Sequence, residues 1–298
     1  MIKTTSNVVP EFPGHRIIKH VGVVLLAIVF LFLSSCDSGA LAPRGQVAAA
    51  ELKLTIFSLE LMLLVVVPVI FMACWFAWRY REGNNGKYRP EWNHSTLLEI
   101  VWWTIPCIII LILGTVTWKT THSLDPYKPL DSEIEPVTVE VVSLDWKWLF
   151  IYPESNIATL NYLKIPAGTP INFKITAASP MNSFIIPQLG GQIYAMTGMK
   201  TQLHLMADTL GAYRGLATNY TGVGFAGMHF MTEVVSPEDF TSWISSVKAT
   251  PAHLTSTVFW NELVPKSIDN PVRYYGDVDP GLFDSIIMHY MMPTLEHQ

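Results

Sequence analysis

Apolar and polar positions alternate along the chain in three regimes. Near the N-terminus, Val21–Leu33 is apolar but short, and it follows Lys3, Arg16 and Lys19. Two longer runs come next, Leu61–Trp78 and Ile100–Trp118, neither holding a charge. Each is long enough to cross a bilayer of about 30 Å as a helix. Pro68 and Pro106 inside them are better tolerated in membrane helices than in soluble ones. Beyond His122 the period shortens to two. Val137, Val139 and Val141 alternate with Thr138, Glu140 and Val142, and 171–176 (Ile-Asn-Phe-Lys-Ile-Thr) and 203–205 (Leu-His-Leu) behave likewise, with glycine and proline between the segments. That is the pattern of strands in a sandwich. At the C-terminal end helical spacing returns. Ser236-Pro237-Glu238-Asp239 has the composition of a helix start, and Phe240, Trp243, Ile244 and Val247 form a stripe behind it. A second helix is expected from Asp279-Pro280, with Phe283, Ile286, Ile287 and Tyr290 on one face.

The composition fits a membrane anchor joined to a globular domain. Of 298 residues, 50% are hydrophobic and 14% charged, too apolar for an ordinary soluble enzyme and too polar for a wholly embedded protein. A net charge of -5 argues against a nucleic-acid partner. Between the two spans lie Arg79, Arg81, Lys87 and Arg89, so the positive-inside rule places that loop in the cytoplasm and the β-rich region outside. The N-terminal pattern of charges, short apolar core and small residues is a secretory signal. It ends in Leu33-Ser34-Ser35-Cys36, which resembles a bacterial lipobox with Cys36 as the lipidated residue. A plain spanning segment with an incidental cysteine is the other reading.

The loop 219–231, Asn-Tyr-Thr-Gly-Val-Gly-Phe-Ala-Gly-Met-His-Phe-Met, resembles the copper loop of cytochrome oxidase subunit II. In that family a Cys-x-Glu-x-Cys-Gly-x-x-His-x-x-Met pattern holds the binuclear CuA centre. Laid onto the pattern, the cysteine places fall on Tyr220 and Gly224, the glutamate on Gly222 and the histidine on Met228; Met231 keeps its residue. An upstream histidine place falls on Asn182. No cysteine follows Cys107, and a thiolate-bridged copper pair needs thiolates. The chain thus resembles subunit II of cytochrome bo-type quinol oxidases, the branch without CuA. Segments 146–153 and 181–187, together with the aromatic-rich C-terminus, carry the same likeness.

The resemblance implies a two-helix transmembrane hairpin, an all-β cupredoxin domain of Greek-key sandwich type and a small helical C-terminal extension. The parts are a signal peptide at 1–35, an external segment at 36–51, the hairpin at 52–122 with its cytoplasmic loop at 79–95, the cupredoxin-like domain at 123–235 and the aromatic-rich motif at 236–298. It also implies a bacterial inner-membrane lipoprotein with the cupredoxin domain in the periplasm. The partners implied are oxidase subunits I, III and IV and membrane lipid, with ubiquinol as substrate of the complex. No cofactor belongs to this chain, and two haems and one copper sit in the catalytic subunit. Neither span contains a histidine that could ligate haem.

Glu99 begins the second span in Glu-Ile-Val-Trp-Trp-Thr. A first-turn carboxylate complementing the helix dipole is one reading. The resemblance gives another, the subunit II carboxylate at the mouth of the K-type proton pathway. Met196, Met199, Met206, Met228 and Met231, with His204 or His229, are compatible with a soft copper(I) site, or with ordinary core filling. Trp146 and Trp148 are expected to pack a sandwich face. Two other functions compete: a cytochrome c oxidase subunit with working CuA, against which the missing cysteines stand, and a lipid-anchored cupredoxin-like copper-binding module, which would purify alone.

Overall fold

The two uncharged runs form long helices in the computed structural model, which describes residues 39–81, 91 and 94–291. Helix α1 is Gln46–Arg79 and helix α2 is Thr96–Ser123. At 1.5 Å per residue they are about 51 and 42 Å long, more than a hydrocarbon core requires, so their outer ends project toward the external domain. Nearly all their large apolar side chains are exposed, as lipid- or partner-facing helices require. Cys36 and the signal segment lie outside the described residues, as does most of the basic loop.

Ten strands build the sandwich: β1 Val137–Leu144, β2 Lys147–Tyr152, β3 Ile157–Leu160, β4 Tyr162–Pro166, β5 Ile171–Ala177, β6 Asn182–Ile186, β7 Gly190–Ala195, β8 Thr201–Leu205, β9 Gly211–Ala217 and β10 His229–Val235. The second sheet runs β4-β10-β9-β6-β7. The first runs β3-β2-β1-β5-β8 and gains one strand from the C-terminal region at its β3 edge. Strands β1 and β5 pair in parallel, as do β4 and β10. Between the sheets Trp148, Phe150, Phe173, Phe184 and Phe230 pack at centroid distances of 4.9–6.4 Å.

The C-terminal region covers what the sandwich leaves open. Helix α3 (Pro237–Lys248) starts as its sequence requires, with Ser236 Oγ accepting from Asp239 N at 3.1 Å. Its Phe240 and Val247 enter the inter-sheet core, with Trp243 and Ile244 packed alongside. Strand β11 (His253–Leu254) precedes the turns Ser256–Val258 and Phe259–Leu263. Strand β12 (Arg273–Tyr275) pairs antiparallel with β3 and so closes a hydrogen-bonding edge. Strand β13 (Asp277–Val278) pairs with β11. Helix α4 (Leu282–Met291) then lays Phe283, Ile286 and Ile287 on the outer face of the first sheet, against Val142, Leu144, Leu149 and Ile151. This explains why β2 is apolar from Trp148 to Tyr152 and buried at all six positions. A strand covered on both faces has no solvent side to make polar.

Helix α1 begins at Gln46, inside the stretch that the sequence places before the hairpin, and its first turns are bolted to the sandwich. Arg44 N donates to Gln188 O at 2.7 Å, Ala48 N to Leu189 O at 3.1 Å, and Gly191 N to Glu51 Oε1 at 3.0 Å. Gly190 makes the approach possible. It sits at φ 89°, and a methyl there would lie 2.6 Å from Ala48 N.

Candidate functional site: the glycine loop and the Glu99 carboxylate

The turn between β1 and β2 has only two residues, Asp145 and Trp146. Trp146 takes φ 63°, a conformation rare for a bulky side chain, and this turns its indole beneath the glycine loop. A methyl built on Gly224 would stand 2.3 Å from Trp146 Cδ2, and one on Gly222 would stand 3.3 Å from Cζ2. Both glycines therefore adjoin the indole, and Gly224 presses its bare Cα against it. Gly222 also needs its freedom of φ, at 115°.

From behind, the chain 265–270 braces the same indole. Lys147, almost fully buried, donates to Pro265 O at 2.8 Å and to Ser267 Oγ at 2.5 Å. Burial pushes its ammonium below the ordinary lysine value, with Asp145 opposing. Lys266 Nζ lies 5.9 Å from the Trp146 ring centroid, within cation–π range. Asn161 Nδ2 donates to Asn270 O at 2.9 Å, which anchors the far end of the segment.

Asn182 and Met228, the two histidine places of the copper pattern, meet each other. They are 1% and 2% exposed, and Asn182 Nδ2 donates to Met228 Sδ at 3.1 Å. Asn182 Oδ1 accepts from Ser183 N at 2.9 Å, so the amide is used at both ends. Tyr220 points outward, 79% exposed, its ring edge-on to Phe225 at 5.6 Å. Met231 lies on β10 and is 40% exposed. The strands that frame a cupredoxin metal site are thus present, while its donors are an amide, thioethers and an outward phenol. That set does not fit CuA, which takes thiolate and imidazole. Among the described residues no three His, Cys, Asp or Glu side chains gather where an ion could be held.

The remaining methionines and histidines fall in separate places. Met206 abuts Gly45 at the head of α1 through its backbone, while Met199 is exposed. His204 is buried and its Nδ1 meets Pro126 O at 3.0 Å; a carbonyl only accepts, so Nδ1 carries the proton. His229 is exposed at the start of β10. Trp148 packs in the inter-sheet core as expected, and Trp146, although it sits in the turn, belongs to the same buried cluster. Only the positive φ distinguishes the two, and nothing in a Trp-Lys-Trp sequence announces it.

Glu99 occupies the first turn of α2, where a negative charge complements the helix dipole. Its Oε1 lies 3.0 Å from His94 Nδ1, and His94 Nε2 is 3.5 Å from Thr96 Oγ1. The carboxylate side chain is 45% exposed. Trp102 and Trp103, just beyond it, are more exposed still. The His94 partner was missed by sequence reasoning, because a residue two positions ahead of a helix belongs to no periodic pattern.

Two family profiles match the external part: the periplasmic domain of cytochrome c oxidase subunit II over residues 154–235, and the COX aromatic rich motif over residues 248–294. The cytochrome bo(3) ubiquinol oxidase subunit 2 of Pseudomonas aeruginosa is 51% identical over 261 residues, covering 87% of this chain and 78% of that protein. Its counterpart from Pseudomonas putida is 48% identical over 268 residues, 90% and 85% of the two chains. The ubiquinol oxidase subunit 2 of Acetobacter aceti is 48% identical over 263 residues, 87% and 85%.

Proposed function

The chain belongs to the ubiquinol oxidase subunit 2 family, and from that membership we propose that it works as the non-redox subunit II of a quinol-oxidising, oxygen-reducing, proton-pumping complex. The haems and the single copper belong to the catalytic subunit I, and subunits III and IV complete the assembly. Ubiquinol is the substrate of the complex. What supports the reading most directly is the glycine loop. Its framework is that of a metal-bearing cupredoxin, yet Asn182 bonds Met228 there and the Trp146 indole lies against Gly224. An electron has no acceptor there, so this domain covers and positions the catalytic subunit and does not feed it.

Glu99 is the chemical contribution of the chain. A carboxylate at the cytoplasmic membrane boundary, beside a histidine, can take a proton from water and pass it to an adjacent subunit. Cys36 carries the lipid of a bacterial inner-membrane lipoprotein, supplementing an anchor that α1 and α2 already provide.

The test is purification of the complex through a tag on this chain, with haem spectra, metal analysis and oxygen uptake. The expected result is a haem-bearing assembly with one copper and quinol-driven uptake, and a Glu99→Gln complex that assembles with its haems but turns over about tenfold more slowly. Three coppers with cytochrome c activity, or a solitary haem-free protein, would overturn the subunit assignment. Full turnover in an assembled Glu99→Gln complex would leave Glu99 as a helix-end carboxylate.

A further inference from the structure

At the edge of the second sheet, aromatic rings from four elements gather around one carboxylate. Strand β4 supplies Tyr162 and Lys164, and its parallel pairing with β10 sets Glu233 opposite Lys164. Tyr162 Oη donates to Glu233 Oε2, and Lys164 Nζ pairs with the same oxygen at 3.0 Å. Trp243 of α3 stands 6.2 Å from the Tyr162 ring and 5.5 Å from that of Tyr152 on β2, centroid to centroid. Tyr274 of β12, 37% exposed, lies 5.8 Å from Tyr162.

Tyrosine and tryptophan lose a single electron more readily than other aromatic side chains, and rings in contact can exchange it. What differs among these rings is where the resulting charge can go. Lys164 Nζ sits 5.7 Å from the Trp243 ring and 5.9 Å from that of Tyr162, so a positive charge held on either ring is repelled. A phenol escapes that repulsion by giving up its proton, provided that a base accepts it. Tyr152 is buried and its hydroxyl donates to Lys164 O at 2.9 Å; a backbone carbonyl is no base. Tyr162 donates to a carboxylate, within the reach that proton transfer requires. The Tyr162 hydroxyl, and then Lys164, hold that carboxyl below its ordinary value. Burial, and then the Glu233 hydrogen bond, push the phenol above its own. The resting pair is therefore a phenol beside a carboxylate, with the proton still on Tyr162.

We propose that Tyr162 is a redox-active tyrosine, the end point of a one-electron oxidation that enters at Trp243, with Glu233 as its proton acceptor. The oxidant is a small inorganic radical. A carbonate radical takes one electron from the Trp243 indole and becomes carbonate. Tyr162 then returns one electron to that indole and passes its hydroxyl proton to Glu233 Oε2. A neutral tyrosyl and a carboxylic acid remain, and Trp243 is restored. The radical settles on an edge strand, one ring from solvent, away from Trp148 and the phenylalanines of the inter-sheet core. The site needs neither Glu99 nor a partner subunit.

The test exposes the whole complex, purified through a tag on this chain, to peroxynitrite in bicarbonate, which releases carbonate radical and nitrogen dioxide. Nitrogen dioxide bonds to a ring carbon of a tyrosyl, and the displaced ring hydrogen returns to the oxygen. Each radical is thus recorded as 3-nitrotyrosine, which peptide mass spectrometry counts residue by residue. In wild type, Tyr162, although half-buried, should be nitrated ahead of Tyr220 and Tyr127, which are 79% and 48% exposed. Glu233→Gln removes the base and Trp243→Phe the entry point. Each should lower nitration of Tyr162 several-fold while Tyr220 keeps its wild-type level. A merely loosened fold would act in the opposite sense, by uncovering the Tyr162 ring. If one variant fails to assemble, the other decides. Nitration that follows exposure, with Tyr220 and Tyr127 ahead, overturns the proposal. So does an unchanged or increased yield at Tyr162 in either variant.

Discussion

At the glycine loop, Asn182 and Met228 are nearly inaccessible and bonded to each other, with Trp146 packed under the glycines beside them. At the cytoplasmic end of α2, Glu99 keeps almost half its surface and has one exposed histidine as partner. The first region is closed by the chain's own side chains: Asn182 bonds Met228, and the Trp146 indole packs against Gly224. The second is open on a helix whose large apolar side chains also face outward. The closed site is built into the sandwich, while the open one keeps its carboxylate accessible.

The strongest way to break this comparison is to push the closed region apart. Gly224→Ala would drive a methyl into the Trp146 indole, which is held from behind by the 265–270 segment and cannot simply swing away. A loss of about 2–3 kcal/mol is expected, seen as a lowered midpoint in thermal unfolding followed by tryptophan fluorescence. An unchanged midpoint would mean that the loop yields easily and is not closed by packing. Asn182→Ala introduces no clash but leaves Ser183 N without its side-chain acceptor in a buried place. The expected cost is roughly 1–2 kcal/mol, read by the same midpoint, and turnover by the assembled complex should be unaffected.

Changes at the open region should behave in the opposite sense. Glu99→Gln preserves shape and removes a titrating group, so unfolding should be unmoved while turnover falls about tenfold, equivalent to about 1.4 kcal/mol. Glu99→Asp should recover part of the rate, since it restores the proton but shortens the reach. If instead Glu99→Gln lowers the midpoint and Asn182→Ala lowers turnover, the roles of the two regions are exchanged.

Much of this was legible in the sequence. Uncharged runs of membrane length, period-two segments and the Ser236-Pro237 helix start each fix a local element without help from the rest of the chain. The chemistry missing from Tyr220, Gly222, Gly224 and Asn182 is equally legible, since side-chain type alone decides it. What escaped depends on contacts between distant residues. The stripe on α4 says that the helix packs on something, and only the fold shows that the something is β1 and β2 of the same chain. The docking of Ala48 on Leu189 and the tilt of Trp146 beneath Gly224 are of the same kind.

The smallest expected effect sharpens the closed side of the comparison, because it lies where the C-terminal extension meets the sandwich. Glu233 on β10 accepts a hydrogen bond from Tyr162 Oη and an ion pair from Lys164 Nζ at 3.0 Å. Trp243 of α3 packs 6.2 Å from the Tyr162 ring, and Lys164 reaches over Trp243 as well. The Tyr162 hydroxyl, and then Lys164, hold the Glu233 carboxyl below its ordinary 4.5. A depressed carboxyl value stabilises the fold above the unfolded value, and that contribution is lost as pH falls through the folded one. Tyr162→Phe should therefore destabilise the wild-type fold fully at pH 7, by less than about 1 kcal/mol because Glu233 is 40% exposed and screened. Below about pH 4.5 the unfolding midpoints of the two proteins should converge. A gap that persists unchanged into acid would assign the stabilisation to ring packing against Trp243, with the carboxylate a bystander.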